Sequence, residues 1–338
     1  MIYLGIDTSN YKTSVAAVDN DGRILCNISE YLDVPHGKRG LRQSEVFFMH
    51  SNRLPLILSD ALKTINPDEI AAIGVSDRPR RTEGSYMPCF LAGLNTARVM
   101  TDILRVPMHS FSHQEGHAAA IIEKSEVPVT DSNSLLMHLS GGTTEILKCS
   151  RDDTAYRLDI VGGTLDISIG QLLDRFGVAL GFHFPSGMYI DKLAGAYKGG
   201  PLPGIVPGIR IMDGYFNLSG PENALLKFAR SFAENHGTGE NTDDSVHIEN
   251  EELYAVCYEL MERIADVLLI SSNYLTSTYN ADTVYMAGGV ASSDTLRKII
   301  NEKSEECKYR IVFGDAYLSG DNAVGTALLA RRNEVKPS

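Results

Sequence analysis

The most constraining feature of the sequence is the stretch 135–147, which reads LLMHLSGGTTEIL. A short apolar run enters it, a group of small or hydroxylated residues follows, and a second apolar run leaves it. This pattern predicts two strands joined by a glycine turn. Adjacent glycines let the backbone come close to a ligand and let amide N–H groups converge on an anion. Taken alone, the stretch is explained equally well by an ordinary tight turn.

Two further segments place small or polar residues directly after a strand. The sequence GIDTS at 5–9 follows a predicted strand at 2–6, and AGGV at 287–290 follows one at 283–287. Together the three segments predict an α/β chain with a duplicated fold, two lobes and a nucleotide in the cleft between them. They resemble the phosphate-1, phosphate-2 and adenosine motifs of the actin, sugar-kinase and Hsp70 (ASKHA) superfamily. A doubly wound dinucleotide-binding fold is disfavoured, because no G-x-G-x-x-G follows the first strand.

The same pattern predicts the division into lobes. We expect residues 1–112, joined by the closing helix 322–338, to form the first lobe. Residues 113–321 are expected to form the second lobe, with the nucleotide loops and the metal-binding histidine pair. A chain of 338 residues is long enough for two hydrophobic cores.

Charge and cysteine usage narrow the class of protein. The formal net charge is −12, which argues against a chain that holds nucleic acid unaided. Five scattered cysteines without a CxxC motif indicate reduced thiols. The amino terminus lacks a basic stretch followed by an apolar one, and no apolar run is long enough to span a bilayer. We therefore predict a cytoplasmic protein with no membrane partner.

His113 and His117 are spaced so that both imidazoles project from one face of a helix and can reach one metal ion. Glu115 lies at the wrong place for the H-E-x-x-H of zinc proteases, so a metalloprotease is disfavoured. Asp321, at the start of the closing helix, is the candidate third ligand. Two imidazoles and one carboxylate suit Fe(II) or Zn(II). The alternatives are a chance histidine pair and a helix N-cap role for Asp321.

Four motifs in the same order resemble the TsaD/Gcp family, the threonylcarbamoyl-transfer enzymes of tRNA once called O-sialoglycoprotein endopeptidases. They are HQEGH at 113–117, LSGGTTE at 139–145, AGGV at 287–290 and GDN at 320–322. The resemblance spans nearly the whole chain. It implies an acyltransferase that moves a threonylcarbamoyl group from its adenylate to an adenine beside the tRNA anticodon. It also implies ATP or an acyl-adenylate as ligand, with Mg(II) as an accompanying ion, and a TsaB-like partner protein, with tRNA held only through a complex.

The resemblance also implies roles for individual residues. The metal ligands would be His113, His117 and Asp321, and we predict Asp7, Lys12 and Glu145 to act in catalysis. The residues expected to bind substrate or nucleotide are Ser9, His138, Leu139, Ser140, Gly141, Gly142, Asp174, Gly187, Asp191, Gly288, Gly289 and Ser293.

Several positions depart from the family pattern and indicate a divergent paralogue. Tyr11 and Lys12 replace the acidic pair of D-E-T, Thr143 replaces the histidine of S-G-G-H-T, and Ser112 replaces a histidine before the metal pair. Ser293 stands where the family usually has asparagine. The loop 77–85, DRPRRTEGS, replaces a glycine-rich G-P-G loop. Its three arginines and Lys12 could bind a differently charged acyl donor, a polyphosphate or RNA, or the loop could be a solvated charged segment.

Three functions remain open from the sequence. The first is threonylcarbamoyl transfer to tRNA with partner proteins, which we favour. The second is a related transferase that uses ATP or a carbamoyl-adenylate on another acceptor, as the altered loops suggest. The third is a nucleotide-binding, non-catalytic subunit, which the retained metal ligands argue against.

Overall fold

The computed structural model describes residues 1–9, 12–33, 41–125, 133–236 and 250–335. Tyr11, one of the departures from the family pattern, lies outside these residues. No helix within the described ranges is long and apolar enough to cross a membrane.

The described residues form twelve strands and ten α-helices. The strands are β1 (Ile2–Asp7), β2 (Lys12–Asp19), β3 (Ile24–Tyr31), β4 (Ile70–Arg78), β5 (Met108–Ser112), β6 (Asn133–Leu139), β7 (Thr144–Arg151), β8 (Tyr156–Thr164), β9 (Ile211–Met212), β10 (Tyr215–Phe216), β11 (Ala281–Ala287) and β12 (Arg310–Phe313). The helices are α1 (Gln43–Thr64), α2 (Phe90–Leu104), α3 (His113–Ile122), α4 (Ile169–Ala179), α5 (Gly187–Gly195), α6 (Ser219–His236), α7 (Glu251–Tyr279), α8 (Asp294–Lys303), α9 (Ala316–Ser319) and α10 (Val324–Glu334).

The chain divides into two compact units. The first contains Met1–Asp131, Cys149–Leu158 and Tyr317–Ser338, and the second contains Ser132–Lys148 and Asp159–Ala316. The predicted division after residue 112 differs from this one, because α3 lies in the first unit rather than the second. The physical reason is the packing of α3 against α10, the closing helix.

The first unit is built on a five-stranded sheet with the order β3-β2-β1-β4-β5. Strands β1 to β3 form an antiparallel meander, while β4 and β5 run parallel to β1. Every residue of β1 is buried, which fits a central strand covered on both faces. Helices α1 and α2 pack against β2, β3 and β4, and α10 packs against β1, β2 and β4.

The second unit is built on a seven-stranded sheet with the order β12-β11-β6-β7-β8-β10-β9. Five of its strands, in the spatial order β8-β7-β6-β11-β12, repeat the arrangement of the first sheet. Numbered by their order in the chain, the strands of both sets lie in the spatial order third, second, first, fourth, fifth. Here too the fourth and fifth strands run parallel to the first. The predicted α/β class and its internal duplication are therefore confirmed.

The strand–turn–strand stretch 135–147 folds as predicted, with β6 before the glycines and β7 after them. In the turn, the Ser140 amide donates to the Thr143 carbonyl at 2.8 Å, and the Thr143 amide donates to the Ser140 hydroxyl at 3.1 Å. Gly141 and Gly142 are both exposed. The turn thus presents two side-chain-free residues at the carboxyl end of β6.

Candidate functional site

The start of α3 fixes where the two histidines project. Ser112 is the N-cap: its hydroxyl accepts the Glu115 amide at 3.2 Å, and the Glu115 carboxylate accepts the Ser112 amide at 2.7 Å. This reciprocal capping box starts the helix at His113. His117 then lies one turn later on the same face, as the spacing predicts.

Asp321 reaches this helix because α10 crosses α3 at very short range. A Cβ atom placed on Gly325 would lie 1.8 Å from the carbonyl oxygen of Gly116, so only glycine permits the crossing. Asp321 stands just before α10 and beside the crossing point. It is not the N-cap: α10 is capped at Ala323, and the Asn322 side chain accepts the Val324 amide. The N-cap alternative for Asp321 is therefore wrong.

Three side-chain atoms of the first unit converge. Nε2 of His117 lies 3.0 Å from Nε2 of His113 and 3.0 Å from Oδ1 of Asp321. Nε2 of His113 lies 3.4 Å from the same oxygen. Among the described residues, these three form the group that could hold a metal ion.

The electrostatics of this cluster favour a positive charge. Burial lowers the pKa of His113, but the Asp7 and Asp321 carboxylates outweigh it and raise that pKa to about 10. Burial raises the pKa of Asp321, yet hydrogen bonds and charge from both histidines hold it well below its usual value. A divalent metal ion bound at Nε2 of His113 would replace the proton there and would be stabilised by the same carboxylates. Two imidazole nitrogens with one carboxylate oxygen are a donor set that fits Fe(II) or Zn(II).

Asp7 and Ser9 lie beside this cluster. Oδ2 of Asp7 is 2.9 Å from Nδ1 of His113, and the hydroxyl of Ser9 is 3.4 Å from Nε2 of the same ring. Asp7 is 1% exposed and accepts the Ser9 amide at 2.9 Å and the Ser76 hydroxyl at 2.5 Å. Despite burial, which raises it, the pKa of Asp7 is lowered by His113 and by these hydrogen bonds.

Ser76 is a member of the site that the sequence did not single out. It lies on β4, next to β1 in the sheet, and is fully buried. A hydroxyl directly after the apolar run 70–75 of β4 was the available signal, since parallel neighbours such as β1 and β4 end at the same sheet edge.

The other two predicted catalytic residues are elsewhere. Nζ of Lys12 lies 5.0 Å from the ring centroid of Tyr31, a cation–π arrangement within the first unit. Glu145 lies on β7 in the second unit and is half-buried.

Two arginines of loop 77–85 are held by carboxylates of the first unit. Arg78 makes a bidentate pair with Asp77, at 2.6 and 2.7 Å. Nη1 of Arg81 lies 2.8 Å from Oδ2 of Asp152 and 3.3 Å from Oε1 of the buried Glu115. These contacts tie the loop to the capping box of α3, so both guanidinium groups already have anionic partners.

The second unit contains a cavity of about 360 Å³, a size typical of small-molecule sites. Its walls are mainly apolar, with carboxylates and hydroxyls at intervals. The lining residues are Gly141, Gly170, Leu173, Asp174, Pro185, Gly187, Met188, Asp191, Met261, Gly289, Val290, Ser292 and Ser293.

Six of the predicted nucleotide-binding residues line this cavity: Gly141, Asp174, Gly187, Asp191, Gly289 and Ser293. Five others, His138, Leu139, Ser140, Gly142 and Gly288, belong to the same turns but do not line it. Ser9 lies in the first unit. Of the predicted residues, Asp7 and Ser9 lie beside His113 within the first unit, and six line the cavity within the second unit.

Two carboxylates shape the cavity through backbone hydrogen bonds. Oδ1 of Asp174 accepts the amides of Ser186 at 2.7 Å and Gly187 at 3.1 Å, which holds the start of α5. Asp191 accepts the Ser293 hydroxyl at 2.6 Å and the Thr295 amide at 3.1 Å, which holds the start of α8. Negative charge at these helix N-termini is favourable.

Comparison with known proteins gives a consistent result. Residues 39–328 match the family model TsaD, described as tRNA N6-adenosine threonylcarbamoyltransferase. Proteins of that name from Thermotoga neapolitana and Methanopyrus kandleri are 26% and 29% identical, over 97% and 95% of this chain and 92% and 84% of theirs.

Among solved structures, HypF of T. kodakarensis matches with a TM-score of 0.60 and 13% identity, over 98% of this chain and 48% of that one. At that identity the likeness shows a shared fold.

Proposed function

The chain belongs to the TsaD family, and from that premise we propose that it is an acyltransferase that moves a threonylcarbamoyl group from its adenylate to an adenine of tRNA. The observation that carries the proposal is the convergence of His113, His117 and Asp321, whose ligand atoms all lie within 4.8 Å of one another. A non-catalytic subunit would have no need of a complete donor set held by a capping box and a close helix crossing.

The proposed reaction is an acyl transfer. The exocyclic amine of the adenine attacks the carbamoyl carbonyl, a C–N bond forms, the C–O bond to phosphate breaks, and AMP leaves with the electron pair. The amine's proton is lost to solvent or to a nearby base. His113, His117 and Asp321 would hold a divalent cation, which would supply Lewis-acid polarisation of an acyl or phosphate oxygen.

The second unit is proposed to hold the adenosine part of the donor. The apolar walls of the cavity suit a purine ring. Within the described ranges, both hydrogen bonds that Asp174 accepts go to Oδ1, which leaves acceptor capacity for a ribose hydroxyl. A Cβ built on Gly141 or Gly142 would meet no atom within 4 Å. The turn is therefore open to a phosphate, which backbone amides of this kind bind well.

A partner protein is part of the proposal. The net charge of −12 opposes phosphate backbone binding, so a TsaB-like protein is expected to supply part of the tRNA surface. In a gel-shift titration, the chain alone should bind tRNA at least about tenfold more weakly than its mixture with such a protein. If the chain alone binds tRNA as tightly as the mixture does, the proposal of a partner protein is wrong.

The test of the reaction is a transfer assay with synthetic threonylcarbamoyl-adenylate, tRNA, Fe(II) or Zn(II) and the partner protein, read by mass spectrometry of digested nucleosides. Wild type should give the modified adenosine, and a His113→Ala, His117→Ala double variant should not. His109→Ala is the matched control, because His109 pairs with Glu334 at 2.8 Å outside the cluster. Donor turnover without modified tRNA would favour a transferase with another acceptor.

A further inference from the structure

Behind the proposed metal ligands His113, His117 and Asp321 lies the buried carboxylate of Asp7. Each ligand histidine presents Nε2 to the common point, which leaves Nδ1 of His113 facing away from it. That nitrogen lies 2.9 Å from Oδ2 of Asp7. A metal-ligating imidazole is generally oriented by a hydrogen bond from its second nitrogen to a carboxylate, and this geometry fits that arrangement.

Asp7 is itself held at both oxygens. Oδ1 accepts the Ser9 amide at 2.9 Å, and Oδ2 accepts the Ser76 hydroxyl at 2.5 Å as well as the His113 contact. The side chain is 1% exposed. A carboxylate so enclosed is well placed to fix the orientation of the His113 imidazole.

We propose that Asp7 is a positioning residue that, held by Ser76, keeps His113 in the tautomer whose Nε2 is free to bind the metal ion. The inference deepens the proposed function and rests on its metal site. It accounts for why β1 ends in a carboxylate and why β4, its neighbour, carries a buried hydroxyl at the same sheet edge.

The fixed roles of the two Asp7 oxygens make the Asp7→Asn variant informative. The Ser9 amide requires an oxygen at the Oδ1 position, so the new amide nitrogen takes the Oδ2 position and faces Nδ1 of His113. An NH₂ group there favours a deprotonated Nδ1 and therefore a protonated Nε2, which cannot bind a metal ion. The change keeps the side-chain volume, so it alters the tautomer with little change in packing.

The experiment titrates the full-length chain with Co(II) and follows the visible absorption bands of the bound ion, with Zn(II) competition for affinity. Asp7→Asn should weaken Co(II) binding by about 10- to 100-fold and change the band pattern. Ser76→Ala, which removes one donor to Asp7, should weaken binding several-fold. Circular dichroism and urea unfolding check that each variant is folded.

Ser14→Ala is the matched control. Ser14 is also fully buried in the first sheet, opposite Asp7 in the β1–β2 register, and its hydroxyl makes no hydrogen bond among the described residues. This variant should bind Co(II) within about twofold of wild type. An equal loss in Ser14→Ala would assign the effect to packing and overturn the inference.

The remaining outcomes are also decisive. A folded Asp7→Asn chain with wild-type affinity and spectrum would overturn the inference, and so would unfolding of both Asp7→Asn and Ser76→Ala. If wild type fails to modify tRNA while the Co(II) series behaves as expected, the proposed function fails and the positioning role of Asp7 stands.

Discussion

Oδ1 of Asp321 lies 3.0 Å from Nε2 of His117, although 204 residues separate them in the chain. The contact joins the two ends of the first unit, because α3 follows the fifth strand of its sheet and Asp321 precedes the closing helix. His113, His117 and Asp321 are thus brought together by the crossing of α3 and α10.

Removing the remote carboxylate should abolish metal binding. Asp321→Ala leaves two imidazoles and no anionic ligand, so bound metal after dialysis should fall below about a tenth of the wild-type content. Loss of several kcal/mol of charge stabilisation would slow acyl transfer by about a hundredfold or more. Elemental analysis and the transfer assay measure the two effects. Asp21→Ala, in an exposed turn of the same unit, should leave both unchanged; full metal content in Asp321→Ala would contradict the assignment.

Gly288 should tolerate no side chain. Its φ is +106°, and a Cβ there would lie 2.2 Å from the carbonyl oxygen of Leu139. Gly288→Ala should lower the free energy of unfolding by about 3 kcal/mol, from backbone strain and overlap together. The neighbouring Gly289→Ala should cost less than about 0.5 kcal/mol, since nothing lies within 4 Å of its Cβ position. Urea unfolding measures both variants. Equal unfolding midpoints for Gly288→Ala and Gly289→Ala would contradict the close approach of Gly288 to the Leu139 carbonyl.

Filling the cavity should block nucleotide binding without unfolding the chain. Gly289 lines the cavity and its Cβ position is open, so Gly289→Leu should weaken binding of AMP by at least about tenfold. Gly208→Leu is the control, because that glycine is equally open but does not line the cavity. Isothermal titration calorimetry gives the affinities. Unchanged binding in Gly289→Leu would place the nucleotide elsewhere.

We expect Arg81 to stabilise the fold and to have little effect on binding of the acyl-adenylate donor. Its contacts with Asp152 and buried Glu115 indicate that Arg81→Ala lowers the free energy of unfolding by about 1 kcal/mol. The KM for the acyl-adenylate should change by less than about twofold. Arg98→Ala, on the exposed face of α2, is the comparison. A tenfold rise in KM at unchanged stability would instead assign loop 77–85 to the donor.

Because of Asp166, the free energy of unfolding should fall as the pH is lowered through the acid range. Burial raises its pKa, but the amides of Leu218, Ser219 and Ile167 outweigh this and lower the pKa to about 2. Because the folded-state pKa is below the unfolded one of about 4, the stabilisation is complete above pH 4 and is lost as pH falls towards 2.

The matching variant is Asp166→Asn. It should be less stable than wild type at pH 7, by no more than about 1 kcal/mol because the side chain is exposed and solvent screens it. The difference should narrow between pH 4 and pH 2 in urea titrations. A gap that stays constant over this range would show that the carboxylate charge is not the cause.

Local features of the site were predictable from the sequence. The spacing of His113 and His117 predicts a shared helix face, and the glycine pair at 141–142 predicts a turn between strands. Both hold because helix period and turn chemistry depend on neighbours within a few residues. The short strand β5 was not predicted, since only five residues form it and its pairing with β4 supplies the hydrogen bonds.

The α/β class, the family and the shared helix face of His113 and His117 could all be predicted, because short contiguous motifs indicate each of them. Three facts are visible only in the folded chain: Asp321 is not a helix cap, Asp7 lies behind His113, and Arg81 already has carboxylate partners. Those facts depend on atoms brought together across tens to hundreds of residues by sheet pairing and helix crossing, and no local pattern records such distances.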